Sequence, residues 1–316
     1  MCTRCVSPGT ASRRSFLRTS ALAAAATAVP LIGSGCATAS VEPGASDVNL
    51  RWFGTNGWEV AFGSHRILID PYLTRYDVGI AADRFDPATP LWVDRARVDR
   101  YVSAADLVLL GHGHFDHIND VPYVVERTGA RVLGTFTHAN LLYAMGVPAD
   151  HVVIVQGGEL LAFDGYTIEV LPGLHGVNGN GRYIFPGTLT SVPPTPTTIA
   201  DLVEGGTLVY QITIGDRFRI LTLSSGNFIE RELRGVLPDV VIAPTISGVT
   251  HRYAERLLGA LGNPRWLVPT HWDSFEGPVE EPAIDEGDLG AFVSVVREAS
   301  PRTQIVTLDH LESFAP

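Results

Sequence analysis

From residue 50 onward the chain is built of short apolar runs separated by Gly, Pro, Asn and Asp, the pattern of strands joined by turns. Residues 50–53 and 58–62 read as strands linked by a turn at Asn56-Gly57, and 66–69 follows as a third, so the folded region opens as a β meander. Further strands are predicted at 107–110, 131–136, 151–155, 160–163, 167–171, 208–214 and 218–223, with Asp164-Gly165 and Gly215-Asp216 closing two hairpins. A helix is expected from near Val121. Beyond residue 240 the rhythm changes: strand 240–243, helix 253–261, strand 266–268, helix 289–299 and strand 305–308 form a βα alternation. Segments 73–99 and 176–206 carry neither period. The second is rich in Pro, Gly and Thr, and Tyr183, Ile184 and Phe185 make it either a lid with an apolar inner wall or a solvent loop with anchoring aromatics.

The chemistry sits directly behind the apolar run 107–110. Gly111-His112-Gly113-His114-Phe115-Asp116-His117 concentrates three imidazoles and a carboxylate, the donor set that zinc and its borderline neighbours prefer. In extended chain His112 and His114 point the same way and can grip one ion together. Asp116 and His117 are adjacent and cannot share that direction, so a turn after His114 would aim them at a second ion beside the first.

HxHxDH at the end of a strand resembles the signature of the metallo-β-lactamase superfamily of metal-dependent hydrolases. Arg66-Ile67-Leu68-Ile69-Asp70-Pro71 is similar to the strand ending in Asp-Pro that precedes that motif. Leu171-Pro172-Gly173-Leu174-His175-Gly176 resembles the segment bearing the third histidine of the first metal site, and Pro269-Thr270-His271-Trp272 the segment bearing the late histidine of the second. The resemblance runs in order from about residue 49 to the C-terminus. It implies an α+β fold, the four-layered αββα sandwich, for a domain over 48–316. It also implies a first ion on His112, His114 and His175, and a second on Asp116, His117 and His271. Zn2+, as one or two ions, is the first expectation, with Mn2+ or Fe2+ as alternatives. A bound ion would ionise water near neutral pH for attack on a carbonyl or phosphorus centre, with Asp116 orienting the nucleophile and assisting proton transfer.

One landmark departs from the family pattern. Where the family carries an aspartate bridging both ions, this chain reads Leu223-Ser224-Ser225-Gly226-Asn227-Phe228. Asn227 is the expected counterpart, able to ligate through its amide oxygen or to hydrogen-bond nucleophile or substrate; its other reading is a turn residue. Being neutral, it leaves the charge of two dications less well offset, so the second ion is expected to bind more weakly. Asp70 and Asp273 read either as carboxylates orienting a ligand histidine or as turn residues. His65, His138, His151, His251 and His310 lack ligand-like company; of these His138 and His251 are the candidates for lining the pocket.

With 45% hydrophobic and 18% charged side chains the chain has the composition of a soluble globular protein. The formal charge is −11, and the first 36 residues contain arginines but no acid, so the remaining body is more acidic still. Such a body disfavours nucleic acid, whose phosphates require basic surfaces. Ser12-Arg13-Arg14-Ser15-Phe16-Leu17-Arg18 followed by an Ala-rich stretch resembles a twin-arginine export signal over residues 1–36, with a linker over 37–47. Two processing sites compete: Gly33-Ser34-Gly35-Cys36, which would leave a lipid anchor on Cys36, and Ala37-Thr38-Ala39. Cys2, Cys5 and Cys36 are the only three cysteines, so the folded body has neither a disulfide nor a thiolate ligand. The expectation is an exported hydrolase acting on an ester, lactone or phosphodiester-type, small-molecule or lipid-like substrate. A metal-binding envelope protein without turnover and a β-lactam hydrolase are the alternatives.

Overall fold

The computed structural model describes residues 48–316 apart from 81, 83, 179 and 216. The expected export signal, linker and Cys36 lie outside the described residues. Strands β1 (Asn49–Gly54), β2 (Gly57–Phe62), β3 (His65–Ile69), β4 (Leu107–Leu109), β5 (Arg131–Gly134) and β6 (Val152–Ile154) belong to one sheet. Strands β7 (Leu160–Phe163), β8 (Tyr166–Pro172), β9 (Leu208–Ile214), β10 (Phe218–Leu223), β11 (Val240–Pro244), β12 (Trp266–Thr270) and β13 (Gln304–Ile305) form the other, and β14 (Ser313–Phe314) returns to pair with β1. Each sheet is mixed. Tight hairpins make β1–β2–β3, β7–β8 and β9–β10 antiparallel, and β8 and β9 also pair antiparallel although the long segment after Pro172 separates them. Longer connections make β3–β4–β5–β6 and β10–β11–β12–β13 parallel, as strands joined by crossovers must be.

Side-chain alternation divides each strand between two cores. Ile67, Ile69, Leu107 and Leu109 face inward against Ile212, Ile220, Ile242 and Val268 of the opposite sheet, with Trp52 and Trp58 between them. The intervening Leu68, Val108 and Val132 face outward onto α1 (Arg95–Tyr101), α2 (Phe115–Ile118), α3 (Val121–Thr128) and α4 (Phe136–Ala144). On the other side Leu221, Val241 and Leu267 face α5 (Glu230–Leu233), α6 (Tyr253–Ala260) and α7 (Leu289–Ala299). This is the αββα sandwich expected from the resemblance.

The differences from the sequence reading lie outside the main ladders. The strand expected at 131–136 stops at Gly134, because Thr135 caps α4 and His138 returns a hydrogen bond to the Thr135 N–H. Segment 73–99, expected to be structureless, ends in α1, whose first turn is capped by the Asp94 carboxylate accepting from Arg97 N–H. The two long segments also pair with each other through a bridge between Pro90 and Thr198, with Leu91 N–H donating to Thr197 and Ile199 N–H to Thr89.

Candidate metal centre

β4 runs out of the sheet into Gly111-His112-Gly113-His114, still extended at His114, so both imidazoles fall on one side. Two glycines allow this segment to lie where it does. A Cβ on Gly111 would meet the Ser224 side chain at 2.1 Å, and one on Gly113 would meet the Val203 carbonyl at 2.3 Å. His114 then becomes the residue preceding α2, and that single helical turn re-aims Asp116 and His117 away from the first pair. His175 arrives from the end of β8 and His271 from the end of β12, so the second sheet supplies one histidine to each group.

The result is two adjoining triads, His112–His114–His175 and Asp116–His117–His271, with the donor atoms of each lying within 4.8 Å of one another. In the first, His112 Nε2 and His114 Nδ1 face each other at 3.1 Å, and the His175 ring lies 4.6 and 4.7 Å from theirs. In the second, Asp116 Oδ2 lies 3.1 Å from Nε2 of both His117 and His271. The His112 and His117 rings join the triads at 3.7 Å.

Burial, reinforced by neighbouring imidazoles, pushes His112 well below its ordinary range, His114 down to about 3 and His175 down. These three are therefore neutral, the form that ligates. Burial would raise Asp116, but His117 and His271 hold it well below the usual carboxylate range. Burial would likewise depress His117, yet the carboxylates of Asp116 and Asp70 on either side push it up to about 10. Two neutral imidazoles whose ring nitrogens face each other at 3.1 Å, beside a buried anion, form an arrangement that a divalent cation satisfies. The donor set fits a bound divalent metal.

A second layer fixes the ligands. His112 Nδ1 lies 2.7 Å from Ser224 Oγ, and His175 Nδ1 lies 2.6 Å from the Gly176 carbonyl. Asp70 Oδ2 lies 2.8 Å from His117 Nδ1, while Gly111 N–H and the Asn56 amide donate to the same carboxylate. Asp70 thus takes the orienting role. Asp70 and His271 both have positive φ, 41° and 57°, a backbone cost tolerated where surrounding bonds over-determine the conformation. Asp273 touches no ligand histidine. It binds Arg75 and His310 at 2.6 and 2.8 Å and accepts the Thr55 N–H, while Thr55 accepts the His271 N–H, so the network pins the loop carrying His271.

Asn227 does not join the triads. Its Oδ1 accepts Phe228 N–H and its Nδ2 reaches the His175 carbonyl at 3.5 Å, in a bridge that pairs it with Leu174. From this loop the side chain lining the cavity is that of Ser225, whose Oγ accepts Gly176 N–H. Sequence order could not separate the two, because the chain leaves β10 in a bend whose facing is set by the loop alone. Nor do His138 or His251 line the cavity; His138 is buried in the cap of α4, bonded to the Glu204 carbonyl.

The cavity above the triads has a volume of about 160 Å³. Its wall is Phe85, Phe115, Ile184, Phe185, Ile246 and Phe275, and among the described residues no arginine lines it. Ile184 and Phe185 come from the second long segment and Phe85 from the first, the two phenyl rings lying 5.9 Å apart. The apolar-wall reading of that segment holds for Ile184 and Phe185. Phe85, Ile246 and Phe275 carry no signal in the sequence, because each is an isolated apolar residue outside the periodic runs.

A family model described as the beta-lactamase superfamily domain matches residues 49–271, which contain all six triad residues. The chain belongs to the beta-lactamase superfamily. A UPF0173 metal-dependent hydrolase of Methanopyrus kandleri is 25% identical over 84% of this chain and 99% of its own length. A second UPF0173 metal-dependent hydrolase, from Pyrobaculum aerophilum, is 28% identical over 80% of this chain and 94% of its own length. Among solved structures the superfamily fold recurs in Igni18, a metallo hydrolase of Ignicoccus hospitalis, with a TM-score of 0.56, 21% identity, and coverage of 84% of this chain and 97% of that one. As a superfamily member this protein is a metal-dependent hydrolase.

Proposed function

We propose that the protein hydrolyses a neutral ester or lactone with a compact apolar group, at a centre holding one or two divalent ions. The observation that carries this is the cavity itself: a carbon-lined wall to which, among the described residues, no guanidinium contributes, over a floor of imidazoles and one carboxylate. A phosphodiester brings a full negative charge that usually calls for Arg or Lys, so the phosphodiester branch of the expectation is the weaker one. A volume of about 160 Å³ is close to that of cavities that accept a benzene-sized group.

His112, His114 and His175 would hold one ion, and Asp116, His117 and His271 the other. Zinc is the first choice by donor type, with manganese or iron(II) as alternatives. Such ions supply Lewis acidity and a water ionised near neutral pH. Asp116 is ionised, with Oδ2 3.1 Å from the ring nitrogens of His117 and His271, and there it would take the proton released as water adds to the carbonyl and return it to the departing alkoxide. Ser225, whose Oγ already accepts Gly176 N–H, has its own proton free to donate to the substrate carbonyl oxygen. The apolar wall excludes bulk water and seats the acyl or ring portion. We further propose export by the twin-arginine route, with a lipid anchor at Cys36; this rests on the N-terminal sequence.

The test is a panel of short-chain and aromatic esters, lactones, phosphodiesters, phospholipids and β-lactams, assayed with zinc and with manganese. Esters or lactones are expected to lead, and phosphodiesters turning over faster would sink the assignment. Asp116→Asn is expected to lower turnover by ~10²-fold or more with the fold retained by circular dichroism; equal loss of fold and activity would make Asp116 structural.

A further inference from the structure

The two triads share one cavity but not one electrostatic environment. Asp116–His117–His271 contains a carboxylate, and His117 is backed by a second, Asp70, at 2.8 Å with both side chains fully buried. His112–His114–His175 contains none, and the partners behind it are neutral: the Ser224 hydroxyl for His112 and the Gly176 carbonyl for His175. A carboxylate behind a ligand imidazole raises its donor strength, and in a buried site two nearby anions attract a dication far more than neutral dipoles do. The loop after β10 offers no compensating charge, because the side chain it presents to the cavity is the hydroxyl of Ser225.

We infer that the Asp116–His117–His271 triad is the tight metal site, and that the three-histidine triad binds an exchangeable second ion because position 225 lacks a carboxylate. This reverses the order expected from the sequence, where the carboxylate-containing site was to be the weaker. It also makes Ser225 the position that sets the stoichiometry. Aspartate there would accept the Gly176 N–H with one oxygen, as Ser225 does now, and present the other to the cavity. The inference concerns ion binding alone and stands whichever substrate is turned over.

The test is equilibrium dialysis of the full chain with zinc against a weak competing chelator, reading ions per chain by elemental analysis. Wild type is expected to retain one ion. His114→Ala is expected to retain that ion, His271→Ala to bind it at least about tenfold more weakly, and Ser225→Asp to retain two. Ring-nitrogen NMR of the unmutated protein at one equivalent of zinc removes any dependence on how the variants fold: the His117 and His271 resonances should move before those of His114 and His175. Two ions retained by wild type, prior movement of His114 and His175, or Ser225→Asp remaining at one ion would each overturn the inference.

Discussion

At the level of single residues, the ligands owe their behaviour to neighbours that the motif does not contain. HxHxDH was legible because its residues are contiguous and their donor types leave little choice. His175 and His271 were legible only through resemblance, since a lone histidine after a strand carries no signal of its own. The facing of Ser225 was not legible, because a bend between strand and loop decides which of four consecutive polar or small residues looks inward. His138 shows how far burial alone can change a histidine. Its Nδ1 accepts Thr135 N–H and its Nε2 lies 3.1 Å from the Glu204 carbonyl, so both nitrogens are used by the neutral ring, and burial pushes it down to about 4. Above pH 6.5 the ring is neutral both folded and unfolded and costs nothing. As pH falls from 6.5 to 4 the unfolded chain takes up a proton that the folded one refuses, so stability drops by ~3 kcal/mol across that window. Chelated wild type and His138→Gln, unfolded with urea between pH 7 and 4, should differ by about this slope; parallel curves would show that His138 is not held neutral.

At the level of elements, the strands and the helices α3, α6 and α7 were legible whereas α1 and α4 were not, for a physical reason. Strand alternation survives because each strand faces two different cores. α4 has no such contrast: Thr137, His138, Ala139, Asn140, Leu141 and Leu142 are all buried, so no apolar stripe marks it. α1 buries only Val98 and rests on its cap. The pairing of the two long segments was likewise invisible, since an isolated bridge between distant loops leaves no period. That pairing nevertheless matters for substrate, because it brings Phe85 and Phe185 together over the triads. Phe185 carries φ of 38°, unfavourable for an aromatic residue, while its carbonyl accepts Glu204 N–H. If the wall seats an apolar acyl group, Phe185→Ala should raise KM for the best aromatic ester about tenfold while changing kcat less. A loss confined to kcat would mean the wall orders the catalytic groups and does not bind substrate.

Across the whole molecule the centre is a junction between two sheets. His112, His114, Asp116 and His117 follow β4 of the first sheet, whereas His175 and His271 follow β8 and β12 of the second, so each triad draws on both. An ion in either triad therefore ties the sandwich together at one edge, and it does so only in the folded chain, where the donors converge. Ligands that bind the native state alone stabilise it by mass action, by ~2.7 kcal/mol when free metal is a hundredfold above its dissociation constant. For a body of this size that should lower the melting temperature by about 5 °C when the ion is stripped, and refilling with zinc should restore it. His271→Ala should abolish most of this shift, because it takes one sheet out of the carboxylate triad, whereas a surface control such as Arg231→Ala should keep it. An unchanged melting temperature on chelation, with metal loss confirmed by elemental analysis, would mean that the sheets hold the ligands in place unaided and the ion contributes chemistry without cohesion.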